Sequence, residues 1–336
     1  MNTHNNSRIE WIDVVKGIAI LLMIVGHTKC PEPLSRVIFS FHMPLFFILS
    51  GLTFSPAKEW KSLPRKTWQS FRGLILPIIA VMSLQRAYNM IVSHTFSMSN
   101  YWNSIKVMFS TSLYWASGVG KDNISVIGVF WFVFSLFWGR LIVNLFCLLF
   151  GKKNVLFLCT ATAIFAIYLG EGIYLPQNMD VTLVAVLFIA AGMSAREHMD
   201  WIRNHKMLLF VVCVALWGYG MGQSADIQMA SRSYPGGLLS VFTALAGSFM
   251  VCCMGKALSD NAVCRKALAY VGRHTLLMLI LHHLFWSYSY LWDASTALRS
   301  QVKRVTLNLL LTSAIVLIQI GLHWIWRKCT HKHTQV

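Results

Sequence analysis

Charge is scarce in this chain. Only 12% of its 336 residues are Asp, Glu, Lys or Arg, and 12 of them carry a carboxylate, while 56% are hydrophobic. A soluble domain needs a mostly polar surface, so this composition excludes one. No segment reads as an extra soluble domain, and no internal repeat or low-complexity tract appears. A cleaved signal peptide is not expected either: the first apolar run contains Asp13 and Lys16, follows a weakly basic start, and lacks a small-x-small cleavage site. Eight cysteines suggest a framework only until they are placed. Cys147, Cys159, Cys213, Cys252 and Cys253 fall in apolar runs, Cys264 and Cys329 on the predicted cytoplasmic side, and Cys30 at an outer edge, so disulfides are not expected. Cys252 and Cys253 are too close for a metal motif, and no metal is predicted. The +17 net charge is spread over short loops with no basic domain, which excludes a nucleic-acid binder and fits anionic lipid contact.

What remains is length enough for many membrane spans. Apolar runs of span length occur at 12–26, 37–54, 74–92, 126–150, 155–169, 181–195, 207–222, 238–258, 270–291 and 306–326. They predict an all-α, polytopic integral membrane bundle of about ten transmembrane helices, forming a single domain over residues 1–336. An even count puts both termini on one side. Of the 29 Lys and Arg, 18 lie on the side shared with the N-terminus when Lys256 and Arg273, at that end of their runs, are counted with it, led by Lys58, Lys61, Arg65, Lys66 and Arg72, against 8 opposite. The positive-inside rule therefore puts both termini in the cytoplasm. Arg299, Lys303 and Arg304 run against this pattern on the predicted outside. Tyr101, Trp102, Tyr114 and Trp115 suggest a short interfacial helix within 93–125.

Ionisable groups inside spans are costly and mark surfaces that face protein or water. Lys16 and His27 stand eleven residues apart in the first run. On a helix that spacing returns to within ~20° of the same direction and advances ~16 Å, so one face carries a cation near one end and an imidazole toward the other. Asp13 precedes Lys16 by three and can pair with it. A cation there can take a phosphate entering from the cytoplasm, although Lys16 alone reads equally well as a snorkelling anchor. An imidazole is suited to general-base work near neutral pH, and His27 by itself could also be interfacial.

The second run reads Phe41-His42-Met43-Pro44-Leu45-Phe46-Phe47 and continues to Ser50-Gly51. Its proline removes a backbone donor, so a broken, His-bearing helix lining a cavity is predicted, with Ser50-Gly51 suited to close helix contact. Arg72 precedes Pro77 at the predicted cytoplasmic rim of the third run. Arg86 and Arg140 inside spans are expected to pair or snorkel, although charge at such depth also admits a functional reading, and Glu171 and Asp180 could touch a sugar but are expected to be solvated loop carboxylates.

Taken together, Asp13, Lys16 and His27, the run Phe41–Phe47 with Ser50-Gly51, and Arg72 ahead of Pro77 resemble the acyltransferase family 3 membrane proteins. The His-Met-Pro-Leu-Phe-Phe run is most similar to the fucose 4-O-acetylase-like branch. The motif-bearing match covers roughly the first 80 residues. Trp131-Phe132 and the stretch from Gly272 to His282 and His283 are compatible with the looser pattern beyond it. The resemblance implies transfer of an acyl group, usually acetyl from acetyl-CoA, to a hydroxyl of a cell-surface glycan or lipid-linked sugar, at the cell membrane. It maps the family's basic-residue-plus-ten-plus-His site onto Lys16 and His27, with His42 as a further catalytic candidate. Lys16, Arg72 and Asp13 are the expected donor-binding residues, and His282, Trp131 and Ser50 the expected acceptor contacts. Two departures stand out: Lys replaces the commoner Arg at position 16, and Met278 stands where a Tyr often precedes the ninth-run His.

A transporter is the alternative, with His27, His42 and Asp13 as a relay. The absence of an inverted repeat and the crowding of ionisable residues into the first three runs count against it.

Overall fold

The computed structural model describes residues 9–27, 30–110, 128–169 and 175–287. The predicted tenth span at 306–326, positions 288–291, Arg299, Lys303, Arg304, Tyr114, Trp115, Glu171 and Cys329 lie outside the described residues. Among the described residues the chain is helical, without strands. Its helices are α1 (Glu10–His27), α2 (Glu32–Phe39), α3 (His42–Thr53), α4 (Leu63–Ser70), α5 (Leu76–Val92), α6 (Met98–Ser110) and α7 (Trp131–Phe150). There follow α8 (Val155–Leu169), α9 (Met179–Glu197), α10 (Met199–Asn204), α11 (Lys206–Gly222), α12 (Leu238–Leu258), α13 (Ala262–Arg273) and α14 (Thr275–Ser287). Among the described residues, five helical stretches are long and apolar enough to cross a membrane: Glu32–Thr53, Trp60–Val92, Gly128–Phe150, Pro176–Glu197 and Leu238–Leu258. Lys206–Gly222 and Thr275–Leu284 are shorter apolar helices. All seven cysteines among the described residues are free.

The chain divides into two compact units, Met1–Ile38 with Leu258–Val336, and Phe39–Ala257. In the first, α1 packs on α13 with backbone against backbone. A Cβ added at Gly17 would overlap the carbonyl of Leu268, and one at Gly272 the carbonyl of Asp13. Small residues permit that approach between apolar helices. Asn261 caps α13 by accepting from the amides of Val263 and Cys264, each at 3.0 Å. Glu10 and Arg265 pair at 3.3 Å across the two helices.

The predicted ninth span is not one helix. His274 interrupts it: its Nδ1 donates to the Tyr270 carbonyl at 2.8 Å, and its ring lies 4.5 Å from that of Tyr270. Residues 270–273 complete the amphipathic α13, and the apolar helix starts only at Thr275.

In the second unit, α9 is the core helix, packed on α3, α7 and α8. Its contact with α3 repeats the glycine device. A Cβ at Gly51 would overlap the Ile189 carbonyl, and one at Gly192 the Ile48 carbonyl. Phe47, Phe130, Phe134 and Phe188 fill the interior. Leu84, Tyr88 and Ile91 of α5 and Met207, Leu208 and Val211 of α11 are exposed, an apolar surface that suits lipid rather than water.

The predicted break in the second run is present, one turn earlier than the proline itself. The chain turns at Ser40 and Phe41, and Pro44 sits in the first turn of α3, where a missing amide costs least. Ahead of Pro77 the chain forms a π-turn over Phe71–Ile75, a one-residue excess that frequently accompanies functional sites.

Candidate functional site

The first unit holds the Lys16–His27 face. α1 runs without interruption from Glu10 to His27, so the two side chains share a face ~16 Å apart. Asp13 is buried at 2% exposure and Lys16 is half-buried one turn further on. At the far end His27 meets α14. Its ring centroid lies 5.4 Å from that of His282, with the planes tilted by 31°, and His282 Nε2 is buried. The structure therefore joins two residues separated by most of the sequence. The two rings pack against each other, and an imidazole can take or pass a proton near neutral pH.

The second unit holds the other candidates. His42 opens α3, buried at 2% exposure and edge-on to Phe39, with centroids 4.9 Å apart. Trp131 opens α7 and is buried. Arg72 lies exposed in the π-turn. Ser50 is buried, and its Oγ accepts from Arg140 Nε at 3.0 Å. The pairing expected for Arg140 is thus with a hydroxyl. Its guanidinium also lies 5.8 Å over the Phe54 ring.

The expectation for Asp180 is overturned. It is 8% exposed, not a solvated loop carboxylate, and forms a buried ion pair with Arg232, 52 positions further along the chain. The surrounding backbone is unusual. Gln177, Asn178 and Arg232 all have positive φ, between 55° and 59°, outside the glycine preserve only at a cost. Polar contacts hold these turns: Trp138 Nε1 donates to Gln177 Oε1 at 2.8 Å, and the amide of Leu175 donates to Asp180 Oδ1 at 3.3 Å. Tyr234 completes the cluster. Its hydroxyl is buried without a hydrogen-bond partner among the described residues. Burial pushes its phenol well up from the ordinary range, Asp180 adds to the rise, and Arg232 opposes it. Sequence reading missed this cluster because nothing local links positions 180, 232 and 234. The only signal available was a lone carboxylate and a lone arginine at the ends of apolar runs.

The profile of the acyltransferase 3 family, described as an acyltransferase domain, matches residues 9–325. The chain is also similar to a protein called "Nodulation protein NolL" from Sinorhizobium fredii, at 21% identity over 323 residues, covering 87% of this chain and 83% of that protein. No solved structure matches the chain.

Proposed function

The chain belongs to the acyltransferase 3 family and is a membrane acyltransferase; on that premise we propose that it moves an acetyl group from acetyl-CoA on the cytoplasmic side to a hydroxyl of a cell-surface glycan or lipid-linked sugar. In this reading it is a multi-pass protein of the cell membrane with both termini in the cytoplasm. The observation that carries the reading is the contact of His27 with His282 at the end of a helix face that also bears Lys16.

The chemistry follows from that face. A CoA donor is an impermeant polyanion, so Lys16 and Arg72 take its phosphates, and Asp13 orients the Lys16 ammonium through their i,i+3 spacing. The thioester arm extends along α1 toward His27. His27 removes the proton of the acceptor hydroxyl, the oxygen bonds to the thioester carbonyl carbon, the C–S bond breaks, and the departing CoA sulfur takes a proton. An attack by His27 itself, with a transient acyl-imidazole, is the covalent version of the same step. His282 orients the acceptor beside His27, and Trp131, Ser50 and His42 are the acceptor and proton-handling residues that the family pattern implies.

Incubation of the purified protein with labelled acetyl-CoA and cell-envelope glycans tests the reading. Label should enter the glycan as an alkali-labile ester, with one free CoA released per ester. A protein that takes up labelled solute into vesicles and releases no CoA would be a transporter.

A further inference from the structure

Arg140 lies midway along α7, inside a stretch otherwise apolar enough to cross a membrane. A guanidinium there is costly without a counter-charge. No carboxylate pairs with it among the described residues; its contacts are the Ser50 hydroxyl and the face of Phe54. Only Nε is used by Ser50, so the terminal amines of the fork are uncommitted.

Arg140 lines a cavity of about 330 Å³ together with Ser55, Lys66, Gln69, Ser70 and Asn144 among others. The volume is in the range of small-molecule sites. Asn144 contributes little free polarity. Its Oδ1 accepts from the Ala57 amide at 2.6 Å and its Nδ2 donates to the Arg140 carbonyl at 2.9 Å. Lys66 donates one bond to the Ser55 carbonyl at 2.7 Å, which leaves two of its three protons. Besides Asn144, the cavity thus offers two cations and three neutral polar side chains, Ser55, Gln69 and Ser70, but no carboxylate. One wall is the π-turn, contributing Gly73 and Leu74, and a Cβ at Gly73 would meet nothing within 4 Å.

We propose that this cavity is a phosphate-binding site, in which the Arg140 fork grips two phosphate oxygens and Lys66 a third. Guanidinium matches phosphate in plane and in charge, and a multiply charged oxyanion satisfies both cations at once. Two sources present that group, a nucleotide phosphate of the acyl donor and the headgroup of an anionic lipid. Assignment to the donor rests on the acyl-transfer reading; the site does not.

Equilibrium binding to the purified full chain in detergent separates these possibilities, with CoA, dephospho-CoA and pantetheine as probes and phosphatidylglycerol adducts followed by native mass spectrometry. Arg140→Gln should weaken CoA about ten- to a hundredfold and leave pantetheine unchanged, with Arg140→Lys in between. Lys66→Gln, at a half-buried position, should weaken CoA about three- to tenfold. An equal loss for dephospho-CoA assigns the pyrophosphate, and a loss confined to CoA the 3′-phosphate. If Arg140→Gln instead abolishes the phosphatidylglycerol adduct with CoA affinity intact, the phosphate site stands and its occupant is lipid. Unchanged CoA affinity and unchanged lipid adducts in both Arg140→Gln and Lys66→Gln overturn the proposal, even if acetyl transfer proceeds. Arg140-dependent CoA binding without any release of CoA from acetyl-CoA would keep the site and remove the acyl-transfer reading.

Discussion

Two groups of buried polar side chains in this molecule are built on opposite terms. Asp180 and Arg232 cancel each other: one carboxylate meets one guanidinium, both almost fully enclosed, at a place where the backbone turns through left-handed conformations. His27 and His282 cannot cancel, because each is a base facing a base. A cancelled pair contributes to holding the chain in place, and removing one partner leaves the other charge stranded. A pair that does not cancel contributes little to folding, and its worth lies in what a third group can do between the rings. On the proposed function, the difference separates a structural polar cluster from a chemical one without any appeal to position in the sequence.

The largest effect that would test this contrast is on stability. Asp180→Ala should lower the free energy of unfolding by about 3 to 5 kcal/mol, because it breaks a buried ion pair by removing one partner. Thermal unfolding in detergent reads it directly, and a melting temperature equal to that of wild type would make the pair a bystander. His27→Ala should show the reverse pattern. The melting temperature should hold while the acyl-transfer rate falls by about a hundredfold to ten-thousandfold, the usual range for a lost general base. A His27 variant that melts early and keeps its rate would exchange the two roles.

Smaller changes sharpen the comparison. Lys16→Ala and Arg72→Ala should each raise the acetyl-CoA concentration for half-maximal rate by about tenfold with little change in maximal rate, and Lys16→Arg should restore it. Steady-state kinetics at several donor concentrations decides this, and a fall in maximal rate alone would move both residues out of donor binding. The smallest effect belongs to Tyr234→Phe. At neutral pH it should be close to silent, since the hydroxyl has no hydrogen-bond partner among the described residues. The native phenol titrates above its unfolded value of ~10, so the folded protein holds its proton longer than the unfolded chain does. Stability from this group is complete below pH ~10 and is lost as pH climbs from there toward the raised value. The Phe variant should therefore show a flatter stability curve above pH ~10, and parallel curves would place the hydroxyl in water.

Much of the helical outline was legible from apolar run length. The runs at 155–169 and 238–258 coincide with α8 and α12 end to end, since an uninterrupted apolar stretch leaves its ends as the only cues and both ends are polar. The ninth run failed because Tyr270 and Val271 look apolar in a list, whereas they occupy an amphipathic helix that His274 closes with its own ring. Lys16 and His27 were readable as one face because their relation depends only on helix period. The partners that give buried groups their character were not. Ser50 and Arg140 are 90 positions apart, and His27 and His282 are brought together from opposite ends of the described chain. The π-turn was equally hidden, as one surplus residue in Phe71–Ile75 leaves no mark on hydropathy.

The close crossing at Gly17 and Gly272 makes α1 a lever. Its fulcrum sits one residue beyond Lys16, and the arm from there to His27 is ten residues, ~15 Å. Over such an arm a tilt of about 4° at the fulcrum displaces the imidazole by ~1 Å, and a displacement of that size is enough to cost about a hundredfold in rate at a reacting centre. Backbone contact through two glycines leaves no side chain there to cushion the tilt. The precision of the imidazole is thus set far from it, by how stiffly two helices are pinned where neither has a side chain.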